Sequence, residues 1–436
     1  MEKEMNVRQQ FVKYVSQNIL GMLGVSLYIL ADTFFISVAE GADGITALNL
    51  VLPLYSIIYA IAAMLGVGSA IRFSILRAQK DTQADRYFSN AVLLAFGSSL
   101  IFVVVGGLFP GQIVALLGGD ANIVAVGTPY TRVFMMFAPF FMLNSVLNAF
   151  VRNDNDPSLA MCATLFSSLF NIVFDYILMF PCGLGMTGAA LATGFSPVVG
   201  VVICSLHFFK KKNTLRFVWQ KPSLSLGWMA CQLGVSAFIG EMSSGVTMAV
   251  FNWLILSIAG NTGVAAYGVV ANIALVATAV FNGIAQGTQP LISDFYGRGD
   301  VSVAKKVLRM GILTSLGVAT VMMFGIGLFA EEVVSVFNSE QSTQLAAYAE
   351  VGIKLYFIGF FFAGINIVGT GFLSAANQAV KAFFCSILRG LVAVVVCAIV
   401  LAICFGMTGV WLSFAAAELV ALVATTYSLY FVQKTV

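Results

Sequence analysis

The sequence predicts an all-α integral membrane protein with twelve transmembrane helices in two six-helix lobes. Hydrophobic residues make up 60% of the 436 residues and charged residues only 9%, whereas soluble domains carry about 25% charged residues. Long apolar runs recur along the whole chain, and each approaches the roughly 20 residues that a helix needs to cross a bilayer. Because unpaired backbone groups cannot face lipid, these runs are predicted to be helices.

Twelve segments meet this criterion: 11–38, 46–74, 88–109, 125–151, 158–180, 186–208, 227–259, 265–293, 306–329, 346–373, 380–404 and 408–432. When both termini are placed inside, every Lys and Arg except Arg132 and Lys354 falls on the inner side. The predicted outer loops carry acids instead, namely Glu40, Asp43, Asp120, Glu331, Glu332 and Glu340. Basic residues collect on the cytoplasmic side of membrane proteins, so we expect both termini to be cytoplasmic.

The two halves of the chain resemble each other. A shift of 219 places Gly44, Gly68 and Asp81 on Gly263, Gly287 and Asp300, and a shift of 221 places 185–188 on 406–409. Such a fixed period indicates an internal duplication. We predict an N-lobe at 1–208, a cytoplasmic linker at 209–226 and a C-lobe at 227–436. Since six is even, the lobes are parallel repeats related by an axis along the membrane normal, a geometry that suits alternating access.

Several classes of protein are excluded. The seven cysteines are odd in number and form no CxxC pair, and His207 is the only histidine, so no metal centre or cofactor site is expected. The sequence contains no HExxH, GxSxG or GxxxxGK[ST] motif, so neither an enzyme nor an ATP-driven pump is predicted. With a net charge of +3 and no basic run, we expect no nucleic-acid partner.

Four polar residues are predicted to meet in the outer half of the N-lobe. Asp32 and Asp175 lie near the outward ends of the first and fifth spans, and Asn171 lies one helical turn before Asp175. Thr193 enters at comparable depth on the sixth span. Acids inside a span are costly and usually line a cavity or a relay. Such an oxygen-rich cluster can hold sodium or share protons between its acids, whereas the alternative is a set of buried structural hydrogen bonds.

Other polar residues within predicted spans are candidates for a substrate cavity. They are Glu241, Asn282, Gln286, Gln289, Arg389 and Glu418. Glu241 either attracts cations in the cavity or is a second coupling site; the alternative is a salt bridge with Arg389 on the eleventh span. Glu418 either faces the cavity or has a structural partner in its own lobe.

The sequence resembles the multidrug and toxic compound extrusion (MATE) family over nearly its whole length. The resemblance rests on 31–35 (ADTFF), 171–175 (NIVFD), 188–193 (GAALAT), 286–292 (QGTQPLI) and 297–300 (GRGD). It implies a V-shaped bundle and export of cationic or amphipathic organic compounds against an inward flow of protons or sodium ions. It also implies that Asp32, Asn171, Asp175 and Thr193 form the cation site of the N-lobe, with possible sodium at Asp32 and Asp175.

The resemblance is to bacterial multidrug transporters. It implies a monomeric protein of the inner (cytoplasmic) membrane that acts on small organic cations and needs no cofactor beyond its coupling ion. Flippases for lipid-linked precursors share this fold and remain the alternative, because fold alone does not determine cargo. A flippase that handles pyrophosphate groups should line its cavity with several basic residues, and only Arg389 is predicted to lie deep.

Overall fold

A computed structural model of the chain describes residues 6–337 and 342–435. Lys3 and Glu340, two of the charges that bear on the predicted orientation, lie outside this part. The described residues form helices joined by short connections, and they include no β-strand.

The first half contains six spans. The first three are Val7–Gly41, Asp43–Ala78 and Ala84–Leu108, followed by the short helix Pro110–Leu116. The fourth span consists of two helices, Ala121–Met136 and Ala138–Asn153, bent by 47° relative to each other. The fifth is Pro157–Met179 and the sixth is Gly185–Ser205, which the 3₁₀ turn Leu206–Phe209 extends.

The second half repeats this arrangement. The helix Leu224–Gly297 breaks at Gly260 and therefore supplies the seventh span, 224–259, and the eighth, 261–297. The ninth is Val301–Phe337, with a break at Phe329, and the tenth is Thr343–Ala375. The segment Ala379–Val432 breaks at Gly406 and supplies the eleventh span, 379–405, and the twelfth, which begins at 407.

The prediction of twelve spans is confirmed. Nine segments of the described part are long and apolar enough to cross a bilayer, and the bent pair around Phe137 makes a tenth. The breaks at Gly260 and Gly406 divide two of these segments. The fourth span is a bent pair of helices and not one continuous helix. Pro139 starts its second part, and proline cannot donate the backbone hydrogen bond that would continue the first.

The connections between helices show the duplication directly. Ten described residues have positive φ, and eight of them form four pairs separated by 219 to 222 positions: Gly41 with Gly260, Lys80 with Gly299, Asn155 with Asn377, and Gly185 with Gly406. Few residues other than glycine and asparagine adopt this conformation readily. The two halves therefore share their turns, position by position, although most of their side chains differ.

By their contacts the residues form two compact units. One is Leu20–Glu241, and the other is Met242–Val436 together with the chain up to Ile19. Their boundaries differ from the predicted ones at 1–208, 209–226 and 227–436. The start of the first span belongs with the second half of the chain, and the linker and the start of the seventh span belong with the first half.

Close glycine contacts explain these boundaries. Within the first unit, Gly68 of the second span lies so close to the seventh span that a Cβ atom would collide with the Ala230 carbonyl oxygen. Within the other unit, Gly287 of the eighth span lies against the backbone of the first span, where a Cβ atom would be 2.7 Å from the Val15 Cα. Gly68 and Gly287 are equivalent under the shift of 219, so the same backbone contact occurs twice.

We expect Gly68→Ala and Gly287→Ala each to lower the free energy of unfolding in detergent by about 1–3 kcal/mol, because the added methyl group forces two helix backbones apart. Gly97→Ala and Gly317→Ala are matched controls, since a Cβ atom at either position has nothing within 4 Å. Thermal unfolding of the four purified variants measures the difference. Equal midpoints in the test and control variants would contradict this account of the packing.

Candidate functional site

The four polar residues predicted for the N-lobe meet in one site within the unit Leu20–Glu241. Asp32 of the first span is 8% exposed and Asp175 of the fifth span is fully buried. The Asn171 Nδ2 atom donates a hydrogen bond of 3.3 Å to the Thr193 hydroxyl on the sixth span. The carboxyl groups of Asp32 and Asp175 approach each other closely enough to share a hydrogen bond when one of them is protonated.

A contact at the ends of the first and sixth spans sets the depth of the site. The Glu40 carboxylate accepts a hydrogen bond of 3.1 Å from the backbone N–H of Met186, in the first turn of the sixth span. Free N–H groups at a helix start favour such an anionic acceptor. Asp32 lies about two turns before Glu40, and Thr193 about two turns after Met186, so this contact brings both to the same level.

The site has more hydrogen-bond acceptors than donors. Four of its buried oxygen atoms have no hydrogen-bond partner: Oδ1 of Asp32, Oδ1 and Oδ2 of Asp175, and Oδ1 of Asn171. Buried polar atoms are nearly always paired, so each exception calls for an explanation. A pocket with an excess of acceptors and two carboxylates suits a proton or a hard cation such as sodium, which oxygen ligands bind.

Tyrosine hydroxyls border this site, and the sequence analysis did not identify them. Tyr130 of the fourth span is buried and lies close to Thr193. Tyr28 lies one turn before Asp32, and its hydroxyl is 2.8 Å from that of Tyr55. The spacing of Tyr28 and Asp32 in the sequence could have indicated a shared helix face. Tyr130 carries no comparable local signal, because only the fold brings it to Thr193.

In the second half of the chain, the buried acid has partners. Arg389 Nε donates to both carboxylate oxygens of Glu418, at 2.8 and 3.0 Å. Asn366 Nδ2 donates to Oε2 of the same carboxylate at 2.7 Å. Glu418 therefore has the partner in its own lobe that the sequence analysis considered for it. The proposed pairing of Arg389 with Glu241 is replaced by this one.

The remaining cavity candidates lie in two different compact units. Glu241 is exposed near the middle of the seventh span. Asn282, Gln286 and Gln289 lie on the eighth span, in the other compact unit, and only Gln289 is buried. The Nε2 atom of Gln289 has no hydrogen-bond partner among the described residues. The structure assigns no common function to these four residues.

A second charged cluster, also missed by the sequence analysis, anchors the linker to the first unit. The His207 ring lies between two buried carboxylates, with Nε2 at 2.8 Å from Asp154 and Nδ1 at 3.1 Å from Asp156. Both ring nitrogens can donate only when the imidazole is protonated. Lys210 and Lys212 bind Asp156, each at 2.8 Å. Their separation in the sequence hides this cluster, since more than 50 residues lie between its acids and its cations.

The other acid of this cluster binds the linker itself. Asp154 accepts hydrogen bonds from Arg77 and from the backbone N–H of Thr214, the latter at 2.7 Å. Further along, the linker follows the start of the third span, where the backbone N–H of Ser223 donates to Asn90 at 2.7 Å. The linker is therefore held along the first unit.

Comparisons with known proteins agree with this architecture. A family model described as MatE matches residues 18–177 and again 237–400, two stretches whose first residues are 219 apart. The multidrug export protein MepA of Staphylococcus aureus (strain MRSA252) is 29% identical over 411 residues, covering 93% of this chain and 90% of that protein.

Solved structures share the fold. A crystal structure of a MATE in complex with MaL6 has a TM-score of 0.92 at 22% identity, covering 99% of this chain and 97% of that chain. A MOP superfamily transporter from Pyrococcus furiosus, for which a reversed polarity of the binding pocket suggests a different function, has a TM-score of 0.90 at 22% identity. It covers 98% of this chain and 96% of that chain. At these identities the likeness shows the fold alone.

We expect the Asp156 cluster to make stability depend on pH. Burial alone raises the pKa of Asp156, but Lys210, Lys212 and His207 more than offset this and hold it at about 2. Because this pKa is lower than the ordinary value near 4, the charged carboxylate stabilises the folded state at pH values above about 4. That stabilisation is lost as the pH falls toward 2. Asp156→Asn should therefore cost about 1–2 kcal/mol at neutral pH, allowing for screening by solvent.

Denaturant unfolding of wild type and Asp156→Asn between neutral pH and about pH 3 measures this effect, and the gap between the two should narrow as pH falls. Asp120→Asn is a matched control. Asp156 caps the fifth span by accepting a hydrogen bond of 3.3 Å from Leu159 N, and exposed Asp120 caps its own helix in the same way, through Ile123 N at 2.9 Å. A gap that stays constant with pH would show that the charge of Asp156 does not stabilise the fold.

Proposed function

Because this chain belongs to the MATE family of transporters, we propose that it is a secondary active exporter of cationic and amphipathic organic compounds, driven by the inward flow of protons or sodium ions. The family assignment rests on the model that matches both halves of the chain. The proposal as to cargo draws on relatives described as multidrug export proteins. In this proposal a monomer is sufficient, and the only accessory it needs is the coupling ion.

The observation that carries this proposal is the buried oxygen site around Asp32 and Asp175. Its four unpaired acceptor oxygens require a positive charge or a proton. The equivalent positions in the second half, at the shifts of 219 and 221, are Phe251 and Val396. A duplicated fold that keeps these acids in one half only does not need them for its architecture, which favours a functional role.

Export requires that the coupling ion and the cargo bias one conformational equilibrium in opposite directions. An ion-free site leaves two carboxylates close together in a poorly hydrated pocket, where they repel each other. A bound proton or sodium ion removes this repulsion and lets the first, fifth and sixth spans pack differently around it. We propose that cargo is released outward in this loaded state and that the ion then leaves toward the cytoplasm.

A flippase for a lipid-linked precursor is the alternative function, and the positions of the basic residues within the spans argue against it. A pyrophosphate group requires basic residues with free charge. Arg389 is neutralised by Glu418, and the two remaining candidates, Arg132 and Lys354, are exposed on spans of different compact units. Exposed Glu241 would instead repel such a group and attract organic cations.

We propose that the protein lies in the bacterial inner membrane with both termini in the cytoplasm, as the distribution of Lys and Arg predicts. In a cysteine-free variant, a single cysteine replacing Asp120 should react with an impermeant maleimide in intact cells. A cysteine replacing Lys211 should react only after permeabilisation. Both positions are exposed. The opposite pattern of labelling would overturn this orientation.

We expect Asp32→Asn and Asp175→Asn to abolish export against a gradient while leaving the protein folded. Asparagine imitates a carboxyl group that stays protonated, so the ion-binding site cannot cycle. Dye binding should persist, because the loss affects coupling. Ethidium transport in proteoliposomes with imposed pH or sodium gradients measures the effect.

Asp43→Asn is the control for these variants, since Asp43 is an exposed acid that the structure does not place in the site. Thermal unfolding of each variant establishes that lost export is not lost protein. If both site variants export at wild-type rates with wild-type dependence on pH and sodium, the coupling site lies elsewhere.

A further inference from the structure

The eleventh span contains a local distortion at its only charged residue beyond the first turn, Arg389. Residues Leu388–Val392 form a π-helical turn, in which the Ala393 N–H binds the carbonyl oxygen of Leu388. π-turns occur mostly as single insertions within α-helices, frequently at functional sites. The extra residue changes the direction in which the side chains around Arg389 leave the helix.

Arg389 and its partner lie near the middle of the membrane. Arg389 comes ten residues after the start of its span at Ala379, and Glu418 eleven residues after the start of the next at 407. At 1.5 Å per residue both lie about 15 Å along the helix from the start of their spans, which is half of the roughly 30 Å thickness of a hydrocarbon core.

Only one edge of the Arg389 guanidinium is occupied. Its Nε atom binds both carboxylate oxygens of Glu418, which Asn366 holds from the other side. These are the hydrogen bonds that Arg389 makes to the described residues, so the four N–H groups of Nη1 and Nη2 have no partner there. The side chain of Glu418 is 2% exposed, whereas that of Arg389 is 24% exposed.

The exposed part of Arg389 must face water and not lipid. A charged side chain at the centre of a membrane-spanning helix is costly, and such groups line the interior of a bundle or a hydrated cavity. The two terminal nitrogens of a guanidinium form a planar fork that matches the two oxygens of a carboxylate. Glu418 binds only the Nε atom of Arg389, so this fork stays available.

We propose that the terminal amino groups of Arg389 bind the carboxylate of zwitterionic substrates, those that carry both a carboxylate and a cationic amine. This inference rests on the proposed export function and names a class of cargo for it. Charge balance selects the class, because the Arg389–Glu418 pair is neutral. A simple anion bound there would leave a net negative charge in a poorly hydrated region, whereas a zwitterion leaves none.

Tetramethylrhodamine and its methyl ester test this proposal, because they differ only in the carboxylate. Arg389→Lys keeps the charge that balances Glu418 but loses the planar fork. We expect it to raise the KM for the free acid about tenfold, as for the loss of a charge-assisted hydrogen bond, and to leave the KM for the ester unchanged. Arg132→Lys, the same substitution at an exposed arginine, is the control and should affect neither dye.

Equal changes for acid and ester in Arg389→Lys, or no change for either, would overturn the proposal. So would a wild-type protein that exports the ester but not the acid, although the exporter function would stand. A wild type that exports neither dye against a gradient would contradict the exporter function itself. The proteoliposome assay therefore separates failure of the two proposals.

Glu418→Gln provides a second test, which can still be carried out if the Arg389→Lys variant does not fold. The amide oxygen still accepts a hydrogen bond from Arg389 Nε, but the guanidinium is no longer neutralised. The KM for the acid should fall relative to the KM for the ester, opposite to the effect of Arg389→Lys. An unchanged ratio of the two KM values in a folded variant would also overturn the proposal.

Discussion

A carboxylate inside a membrane is stable only when a donor, a cation or a proton meets it, and the two halves of this chain satisfy that requirement differently. Glu418 is fully paired by Arg389 and Asn366. Asp175 is as deeply buried, but neither of its carboxylate oxygens has a partner. A paired acid can remain charged through a conformational cycle, whereas an unpaired one must exchange an ion with its surroundings. The roles proposed for the two halves follow from this difference.

Comparison of the two halves shows which features both copies of the duplicated fold share and which differ between them. Four pairs of positive-φ residues keep the same turns in both halves, and Gly68 and Gly287 keep the same close helix contact. These positions are determined by backbone geometry, which a side chain would obstruct. The functional side chains follow no such repeat. One half carries the Asp32 site, the other carries Arg389 on a π-turn, and the charged cluster around His207 belongs to the first half.

The sequence was informative wherever one helix determined the outcome. The count of spans follows from apolar length, and the common depth of Asp32, Asp175 and Thr193 follows from counting residues to helix ends. It was uninformative where two distant segments had to meet. His207 contacts Asp154, which is more than 50 residues away in the sequence, and no local sequence pattern predicts this contact. Arg389 pairs with Glu418 and not with Glu241, because a sequence alone does not show which spans of a bundle pack side by side.

The boundaries of the compact units bear on how the chain can be divided. The connection between the two homologous halves looks, in the sequence, like a natural place to cut. Yet the linker is fastened to the first unit, and both crossings between units, after Ile19 and after Glu241, fall within helices. A cut in the linker would give two fragments. The first would carry the chain up to Ile19, which packs in the second unit, and the second would carry the start of the seventh span, which packs in the first unit. Such fragments would have to exchange these segments in order to fold, so co-expressed halves should assemble as obligate partners and neither should be a stable protein alone.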